Sequence, residues 1–198
     1  MVVLILMNKT VGRPRSQAAD DAIICAARKM FYKHPYHDVS MEAIAAEAGV
    51  SKATLYRRWP NKQTLAVEVL VRVIRERQLY FDSQNTFRQH LTANLRGLRD
   101  MLSSDYSDVI VSIIAETQHD KTLRNMFCQK FLQPVQAIGD ADMQKAIEQG
   151  EVAAIVDKDL VFDQLFGLFY YRLLVAHKSI SNKEIDVIVN AFFHVAGT

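Results

Sequence analysis

The chain has 198 residues, with 24 Lys and Arg against 22 Asp and Glu, and 49% of its residues are hydrophobic. Its 7 Gly and 4 Pro are too few for the frequent turns of a many-stranded fold. Two cysteines, Cys25 and Cys128, stand far apart and outside any Cys/His cluster, which disfavours a disulfide framework and a zinc site. We therefore expect an all-α protein without a metal or cofactor.

Charge is distributed unevenly along the chain. From Lys9 to Arg77 there are 13 Lys and Arg against 7 Asp and Glu, a net charge of +6. From Gln78 to the end there are 11 against 15, a net charge of −4. A basic N-terminal third joined to an acidic remainder indicates a polyanion-binding module attached to a second, different part.

The first segment is predicted to be a flexible basic arm over residues 1–16. Met1–Met7 is apolar, but it is too short to span a bilayer and lacks the basic flank of a signal peptide. Translation could equally begin at Met7. Gly12 and Pro14 then interrupt regular structure, so we expect helix only from Ala18.

Four helices are predicted in the basic third, at 18–33, 41–48, 52–59 and from 61 to about 80. Ser40, Ser51 and Asn61 are predicted N-caps, and Gly49 stands where a helix end favours positive φ. One apolar face is predicted to form the core, with Ala19, Ile23, Ala27, Phe31, Ile44, Ala45, Ala48, Leu65, Val69 and Val73. Residues 40–59 therefore have a helix-turn-helix layout.

The second helix of this motif separates into a buried and an outward face. Leu55 and Trp59 are four residues apart and predicted to be core. The remaining residues suit DNA, because Lys and Arg neutralise phosphates, hydroxyls donate to phosphate oxygens and small apolar groups contact thymine methyls. These outward residues are Lys52, Ala53, Thr54, Tyr56, Arg57 and Arg58.

The remainder of the chain is predicted to form helices near 86–103, 107–118, 121–149, 158–177 and 182–196, with no strand. Pro134 is expected to kink the third of these. Residues 158–177 are apolar nearly all round, so that helix must be buried on more than one side. Arg172 lies among apolar residues and should reach a carboxylate such as Glu184 or Asp186.

A family resemblance rests on the run VSKATLYRRWPNKQTL, preceded by FYKHPYHDVSMEAIAAEAG. Over residues 17–77 the chain resembles the helix-turn-helix DNA-binding domain of TetR-family bacterial regulators of the TetR/AcrR type, although Arg57-Arg58-Trp59 departs from the usual residues. The resemblance implies phosphate contacts by Ser40, Tyr56 and Lys62 and base contacts by Lys52, Ala53 and Thr54. The full predicted set of DNA-binding residues is Arg13, Arg15, Ser40, Lys52, Ala53, Thr54, Tyr56, Arg57, Arg58 and Lys62.

The same resemblance implies that residues 78–198 form a helical ligand-binding and dimerisation domain. Predicted dimer contacts are Gly167, Leu168, Tyr171, Val175, Ile188 and Phe192, with Gly167 allowing close helix approach. A predicted apolar pocket is lined by Met101, Ile113, Thr117, Phe127, Phe131, Phe166 and Tyr170, although the same residues could form a solid core. The sequence leaves open which face of helix 158–177 meets the pocket and which meets the dimer partner.

We expect a homodimeric, cytoplasmic repressor that leaves a palindromic double-stranded DNA operator when a hydrophobic or aromatic small molecule binds. The alternative is a helix-turn-helix regulator that responds to a protein partner or to no effector. An enzyme is disfavoured because the chain has no glycine-rich phosphate loop, no GxSxG and no HExxH. No association with a membrane is expected. The effector, the operator and the choice between repression and activation stay open.

Overall fold

The computed structural model describes residues 14–76, 85–104, 106–153 and 157–196, in which every regular element is helical. The α-helices are α1 (Pro14–Lys33), α2 (Met41–Glu47), α3 (Lys52–Tyr56), α4 (Lys62–Glu76), α5 (Phe87–Leu102), α6 (Ser107–Thr117), α7 (Lys121–Phe127), α8 (Gln133–Glu148), α9 (Lys158–Tyr170) and α10 (Asn182–Ala196). The predicted all-α class is confirmed. Over the described ranges, no helix combines the length and the apolar character needed to cross a membrane.

The start of α1 corrects the sequence prediction. The helix begins at Pro14, before the predicted start at Ala18. Proline suits the first helical position because its fixed φ is helical and its missing N–H would have had no partner there. Of the predicted arm, 14–16 therefore lie in α1, whereas Met1–Met7 and Arg13 lie outside the described residues.

A three-helix head is built from α1, α2 and α3, closed by the first half of α4. Its core confirms most of the predicted apolar face, since Ile23, Ala27, Phe31, Ile44, Ala45, Leu55, Leu65, Val69 and Val73 are all buried. Helix α3 ends at Tyr56 instead of Trp59, and Trp59 packs half-buried against this core. The turn tightens because the Arg58 N–H bonds to the Leu55 carbonyl three residues back.

Helices α2 and α3 meet at a turn fixed by Gly49. Gly49 adopts a φ of +66°, its N–H donates to the Ala46 carbonyl, and the Val50 N–H donates to the Ala45 carbonyl. This pair of hydrogen bonds is a Schellman ending, which favours glycine because a Cβ is strained at positive φ. The predicted role of Gly49 is confirmed, and the turn sets the direction in which α3 leaves the head.

The remaining helices form a body around α5, which packs against α6, α8, α9 and α10. The N terminus of α5 is closed by a capping box between Thr86 and Gln89. The Glu151 carboxylate also accepts a hydrogen bond from the Phe87 N–H at 3.0 Å. Helix α4 packs against α1 in the head and against α6 and α7 in the body, so it joins the two parts.

Two short π-helical segments interrupt the long helices. Cys128–Leu132 lies between α7 and α8, and Tyr171–Val175 continues α9. Pro134 follows the first segment, and its ring cannot donate a hydrogen bond to the Lys130 carbonyl. A wider π turn accommodates a helix at such a point. The structure therefore has a π segment just before Pro134, and the predicted kink stays a prediction.

Candidate nucleic-acid interface and internal cavity

Helix α3 is fixed to the head by the buried side chain of Leu55, and its outward side chains form a short polar surface. Leu55 is fully buried, whereas the outward residues Lys52, Ala53, Tyr56 and Arg57 are exposed. The Ser51 Oγ accepts a hydrogen bond from the Thr54 N–H at 3.2 Å and lies 2.9 Å from the Thr54 hydroxyl. The predicted cap at Ser51 is confirmed, and Thr54 is held half-buried at the base of this surface.

Ser40 holds the first turn of α2. Its Oγ accepts a hydrogen bond from the Ala43 N–H at 3.1 Å, which confirms the predicted N-cap. The hydroxyl is exposed and can also donate a hydrogen bond. The capping role is therefore compatible with the phosphate contact that the resemblance implies for Ser40.

Glu42 is a carboxylate at this surface that the sequence reading missed. Its Oε1 accepts a hydrogen bond from the Tyr56 hydroxyl at 3.2 Å and lies 3.8 Å from the Lys52 Nζ. The Glu42 backbone N–H, and then the Tyr56 hydroxyl, lower the pKa of this carboxyl. Glu42 thus contacts two of the predicted DNA-binding side chains, Tyr56 and Lys52.

Arg58 does not lie on the free surface where the prediction placed it. Its guanidinium forms an ion pair with Asp20 of α1, and its side chain is only 17% exposed. A charge that is largely enclosed and paired contributes to holding two elements together. Arg58 therefore links α1 to the end of α3, whereas its neighbour Arg57 stays exposed. Periodicity alone gave no sign of the Asp20 partner.

Lys62, for which the resemblance implies a phosphate contact, lies against the turn at Tyr36–Asp38. Its Nζ donates to the Tyr36 carbonyl at 2.7 Å and lies 4.3 Å from the centre of the Tyr36 ring. Burial of the ammonium lowers the pKa of Lys62, which is the expected direction for a desolvated cation. In this arrangement Lys62 holds the turn at Tyr36–Asp38.

Arg15 lies in the first turn of α1, and Arg13 is outside the described residues.

The turn at Tyr36–Asp38 connects the head to α6 of the body. The Tyr36 N–H donates to the Asp108 carboxylate at 2.6 Å. Nearby, the Arg28 guanidinium of α1 donates to the Tyr106 hydroxyl at 3.2 Å and pairs with Glu76 of α4. These contacts were not predicted, because sequence periodicity carries no information about partners 48 to 78 residues apart.

The body contains an apolar cavity of about 120 Å³ between α5, α8 and α9. Four of the seven predicted pocket residues line it: Met101, Phe131, Phe166 and Tyr170. Most of the remaining wall was not predicted and includes Phe87, Leu91, Asn94, Leu95, Leu98, Val135, Ile138, Asp142, Met143, Val161, Phe162 and Leu165. Burial raises the pKa of the Tyr170 hydroxyl to about 12, so that group stays neutral.

Three predicted pocket residues do not line this cavity. Ile113 is fully buried in the packed core. Thr117 and Phe127 border a separate groove beside Arg124, and the Thr117 hydroxyl donates to the Ile114 carbonyl at 2.6 Å. The prediction placed α6 in the wall and included only Met101 from α5, whereas α5 contributes several residues and α6 none of the lining. Hydrophobic spacing identifies an inward face but not which neighbouring helix that face meets.

Helix α9 and its π-helical end carry an exposed apolar face. Leu160, Leu168, Tyr171 and Val175 are exposed by 54%, 36%, 61% and 67%. A Cβ added at Gly167 on the same face would meet nothing within 4 Å. The opposite face of α9 borders the cavity through Leu165, Phe166 and Tyr170. The structure thus distinguishes the two faces that the sequence could not separate.

The dimer contacts predicted on α10 fit less well. Ile188 and Phe192 are half-buried against the core of their own chain, and the Phe192 ring lies 6.2 Å from the Phe87 ring. Val187 is instead 59% exposed.

Arg172 pairs with Glu184 at 2.8 Å, one of the two predicted partners, whereas Asp186 pairs with Arg96 at 3.0 Å.

The Schellman turn and the exposed polar face of α3 define the protein as a helix-turn-helix DNA-binding protein. The family models agree with this class. Residues 23–69 match "Bacterial regulatory proteins, tetR family", and residues 82–192 match "Tetracyclin repressor-like, C-terminal domain". The chain belongs to the TetR family of bacterial transcriptional regulators. It is a regulator and not an enzyme, as the sequence predicted.

Two relatives illustrate the extent of the similarity. The chain is 28% identical to the uncharacterized HTH-type transcriptional regulator YdeS of Bacillus subtilis, over 97% of both chains. It is 26% identical to the DNA-binding transcriptional repressor TetR of Mycobacteroides abscessus, over 80% of this chain and 84% of that one. Both relatives are regulators that extend over the head and the body.

Solved structures share the fold at low identity. The TetR-family regulator SCO0332 has a TM-score of 0.79 at 23% identity, over 89% of this chain and 97% of that one. FadR from Bacillus subtilis, solved with stearoyl-CoA, has a TM-score of 0.62 at 20% identity over 88% and 96%. A Saccharomonospora viridis regulator solved with choline has a TM-score of 0.60 at 21% identity over 90% and 96%.

Proposed function

We propose that the protein is a homodimeric repressor that binds a palindromic operator and is released by a hydrophobic small molecule. The observation that carries the proposal is the exposed polar face of α3, held in the head by buried Leu55 and linked to a body that contains a cavity. In the cell, such a protein would act in the cytoplasm, where its operator lies. The DNA contacts are assigned to Ser40, Lys52, Ala53, Thr54, Tyr56 and Arg57.

Dimerisation is supported by the exposed apolar face of α9. One side of the helix carries the exposed residues Leu160, Leu168, Tyr171 and Val175. A contiguous apolar surface of this kind usually marks a site where a partner binds. A two-fold dimer presents two copies of α3 and therefore reads two half-sites of a palindrome. On α10, Val187 is the exposed apolar residue that we add to the proposed interface, whereas Ile188 and Phe192 pack against their own chain.

An effector role for the cavity is supported by its walls and by the fold. Apolar walls with a few polar groups are typical of ligand sites, although about 120 Å³ is below the usual roughly 300–1,000 Å³. The two similar structures solved with stearoyl-CoA and with choline hold ligands of very different chemistry. The ligand would lower operator affinity if it binds more tightly to a conformation of the dimer in which the spacing of the two heads does not match the two half-sites.

The proposal is tested by selecting DNA fragments with the purified full-length protein and measuring affinity for the selected duplex and an unrelated one. Tyr56→Phe should weaken both duplexes by a similar factor, because a phosphate contact positions the protein without reading bases. Tyr32→Phe removes the hydroxyl of an exposed tyrosine on α1, so it is the matched control and should change neither affinity. Failure to enrich any sequence would contradict operator binding. An enriched operator whose affinity no cavity ligand changes would favour a regulator without an effector.

A further inference from the structure

We propose that the cavity and the neighbouring groove together bind an amphipathic carboxylate, with its unbranched apolar chain in the cavity and its head at Arg124. The inference rests on the proposed role of the cavity as the effector site. It narrows the expected effector from any hydrophobic molecule to one with a chain and a negative head. The evidence is the size of the two spaces, the wall that they share and the charge of the groove.

The cavity alone is small for a ligand site, but it adjoins a larger space. Its volume is about 120 Å³, whereas ligand sites usually measure roughly 300–1,000 Å³. The groove beside Arg124 has a volume of about 480 Å³. Leu132 and Tyr170 line both spaces. A ligand that passes between these two side chains would therefore occupy a site of ordinary size.

The shared wall lies where two helices change between α and π geometry. Leu132 is the last residue of the π segment Cys128–Leu132. Tyr170 is the last residue of α9 and directly precedes the π segment Tyr171–Val175. Both side chains are only half-buried. Because π turns within α-helices are frequent at functional sites, we place the passage for the ligand chain between Leu132 and Tyr170.

The cavity suits the chain of the ligand better than its head. Its wall is largely aromatic and aliphatic, and burial of each methylene group there would favour binding by about fourfold. Of the charged residues that line it within the described ranges, Asp140 and Asp142 are carboxylates and only Lys158 is basic. An anionic head would be repelled by this lining. The head is therefore assigned to the groove.

Arg124 gives the groove a positive charge, and it is the charged member of the groove lining among the described residues. Its Nε donates to the Thr117 carbonyl at 2.8 Å, and its Nη2 donates to the Gln118 carbonyl at 3.0 Å. These bonds fix the guanidinium at the end of α6. Both acceptors are neutral, and a guanidinium has five N–H donors, so further donors can bind a carboxylate.

The first test compares octanoate with octan-1-ol, which has the same chain but a neutral head. Binding to the full-length protein is measured by calorimetry without DNA. The wild type should bind octanoate at least about fivefold more tightly, because a hydrogen bond between charged groups is the stronger one. Arg124→Met should reduce this preference below about twofold while octan-1-ol still binds. Lys121→Met removes a cation of the same helix that lies outside the groove lining, so it is the matched control and should retain the preference.

The second test locates the chain. Gly139 of α8 lines the cavity, and a Cβ added there would stand 3.9 Å from the Phe162 Cδ2. Gly139→Leu should therefore fill part of the cavity and weaken octanoate and octan-1-ol alike by at least about fivefold. Gly139→Ala adds a single methyl group, so it is the matched control and should change either affinity by less than about threefold.

The outcomes separate this inference from the proposed function. Equal binding of the two ligands, tighter binding of octan-1-ol or no binding of octanoate would overturn the carboxylate site. Unchanged octanoate affinity in Gly139→Leu would overturn the placement of the chain in the cavity. Operator release by octan-1-ol alone would overturn the carboxylate site but leave the effector role in place. Octanoate binding that does not change operator affinity would keep the site and contradict the effector role. If Arg124→Met does not fold, the comparison of the two ligands on the wild type still decides.

Discussion

Lys52 and Lys62 are the same residue type in very different surroundings. The Lys52 ammonium is exposed and only loosely paired with Glu42. The Lys62 ammonium is bonded to the Tyr36 carbonyl and lies over the Tyr36 ring. The sequence motif assigned both lysines to DNA. Lys52 is exposed on α3, whereas Lys62 is half-buried against the head, so the DNA contact is proposed for Lys52 alone of the two.

Substituting each lysine by methionine should separate these roles, because methionine keeps an unbranched apolar side chain and removes the charge. Lys62→Met should lower the free energy of unfolding by about 0.5–1.5 kcal/mol, since the Tyr36 carbonyl loses the shorter of its two hydrogen bonds and keeps only the one from the Val39 N–H. Lys52→Met should change stability by less than about 0.5 kcal/mol but weaken DNA binding at least about fivefold. Urea unfolding and fluorescence anisotropy measure the two effects. A stable Lys62→Met protein with a large loss of DNA affinity would restore Lys62 to the interface.

At the scale of the element, the start of α10 shows how a short motif fixes a helix end. The Glu184 Oε2 accepts a hydrogen bond from the Ser181 N–H at 2.8 Å, and the Ser181 Oγ accepts one from the Glu184 N–H at 3.2 Å. This reciprocal pair is a capping box. Arg172 pairs with the same carboxylate, so the box also joins α10 to the end of α9.

The capping box should make this corner of the body sensitive to acid. The Ser181 backbone N–H is the largest cause that lowers the pKa of Glu184 to about 2, followed by the Ser181 hydroxyl and Arg172. A lowered pKa stabilises the fold above the ordinary value of 4.5, and this stabilisation is lost as pH falls towards 2. Glu184→Gln should therefore show a shallower loss of stability between these pH values. An acid unfolding curve identical to that of the wild type would contradict this account.

Local chemistry explains which elements could be predicted. Ser40, Ser51 and Asn61 were predicted as caps, and each accepts the expected backbone hydrogen bond. The π segments at Cys128–Leu132 and Tyr171–Val175 were not predicted, because apolar residues have no spacing that distinguishes them from α-helix. Most of the cavity wall was missed for a related reason: it depends on how α5, α8 and α9 pack against one another.

At the scale of the whole molecule, the exposed face of α9 predicts a dimer. Leu168→Glu should give a monomer at micromolar concentration, because a carboxylate would be buried against an apolar partner. Val111→Glu is the matched control: Val111 is 40% exposed on α6, and its substitution should leave the dimer intact. Sedimentation velocity measures both. A Leu168→Glu protein that stays dimeric would place the interface elsewhere.

The contacts between the head and the body suggest how a ligand and DNA influence each other. Asp108 and Tyr106 stand at the start of α6, and they hold Tyr36 and Arg28 of the head. Coupling between two sites is reciprocal, so DNA bound at α3 should affect the body as much as a ligand affects the head. The charge-assisted hydrogen bond from the Tyr36 N–H to Asp108 is the shorter of these contacts at 2.6 Å and the more specific to test.

Asp108→Asn should weaken this coupling while the head still folds, because a neutral amide oxygen accepts the Tyr36 N–H less strongly than a carboxylate. Amide hydrogen exchange is measured on the full-length protein with and without its selected operator. In the wild type, DNA should change exchange in α6 and increase the protection of the Tyr36 amide. In Asp108→Asn, the DNA-induced change in the exchange rates of the α6 amides should fall by about half or more. Such a loss is part of the coupling free energy between two sites, which is typically about 1–3 kcal/mol. Asp100→Asn is the matched control and should behave as the wild type. It removes an exposed carboxylate of α5 that, among the described contacts, pairs only with its neighbour Arg99. If DNA leaves α6 unchanged in the wild type, or changes it equally in Asp108→Asn, the signal does not pass through Tyr36 and Asp108.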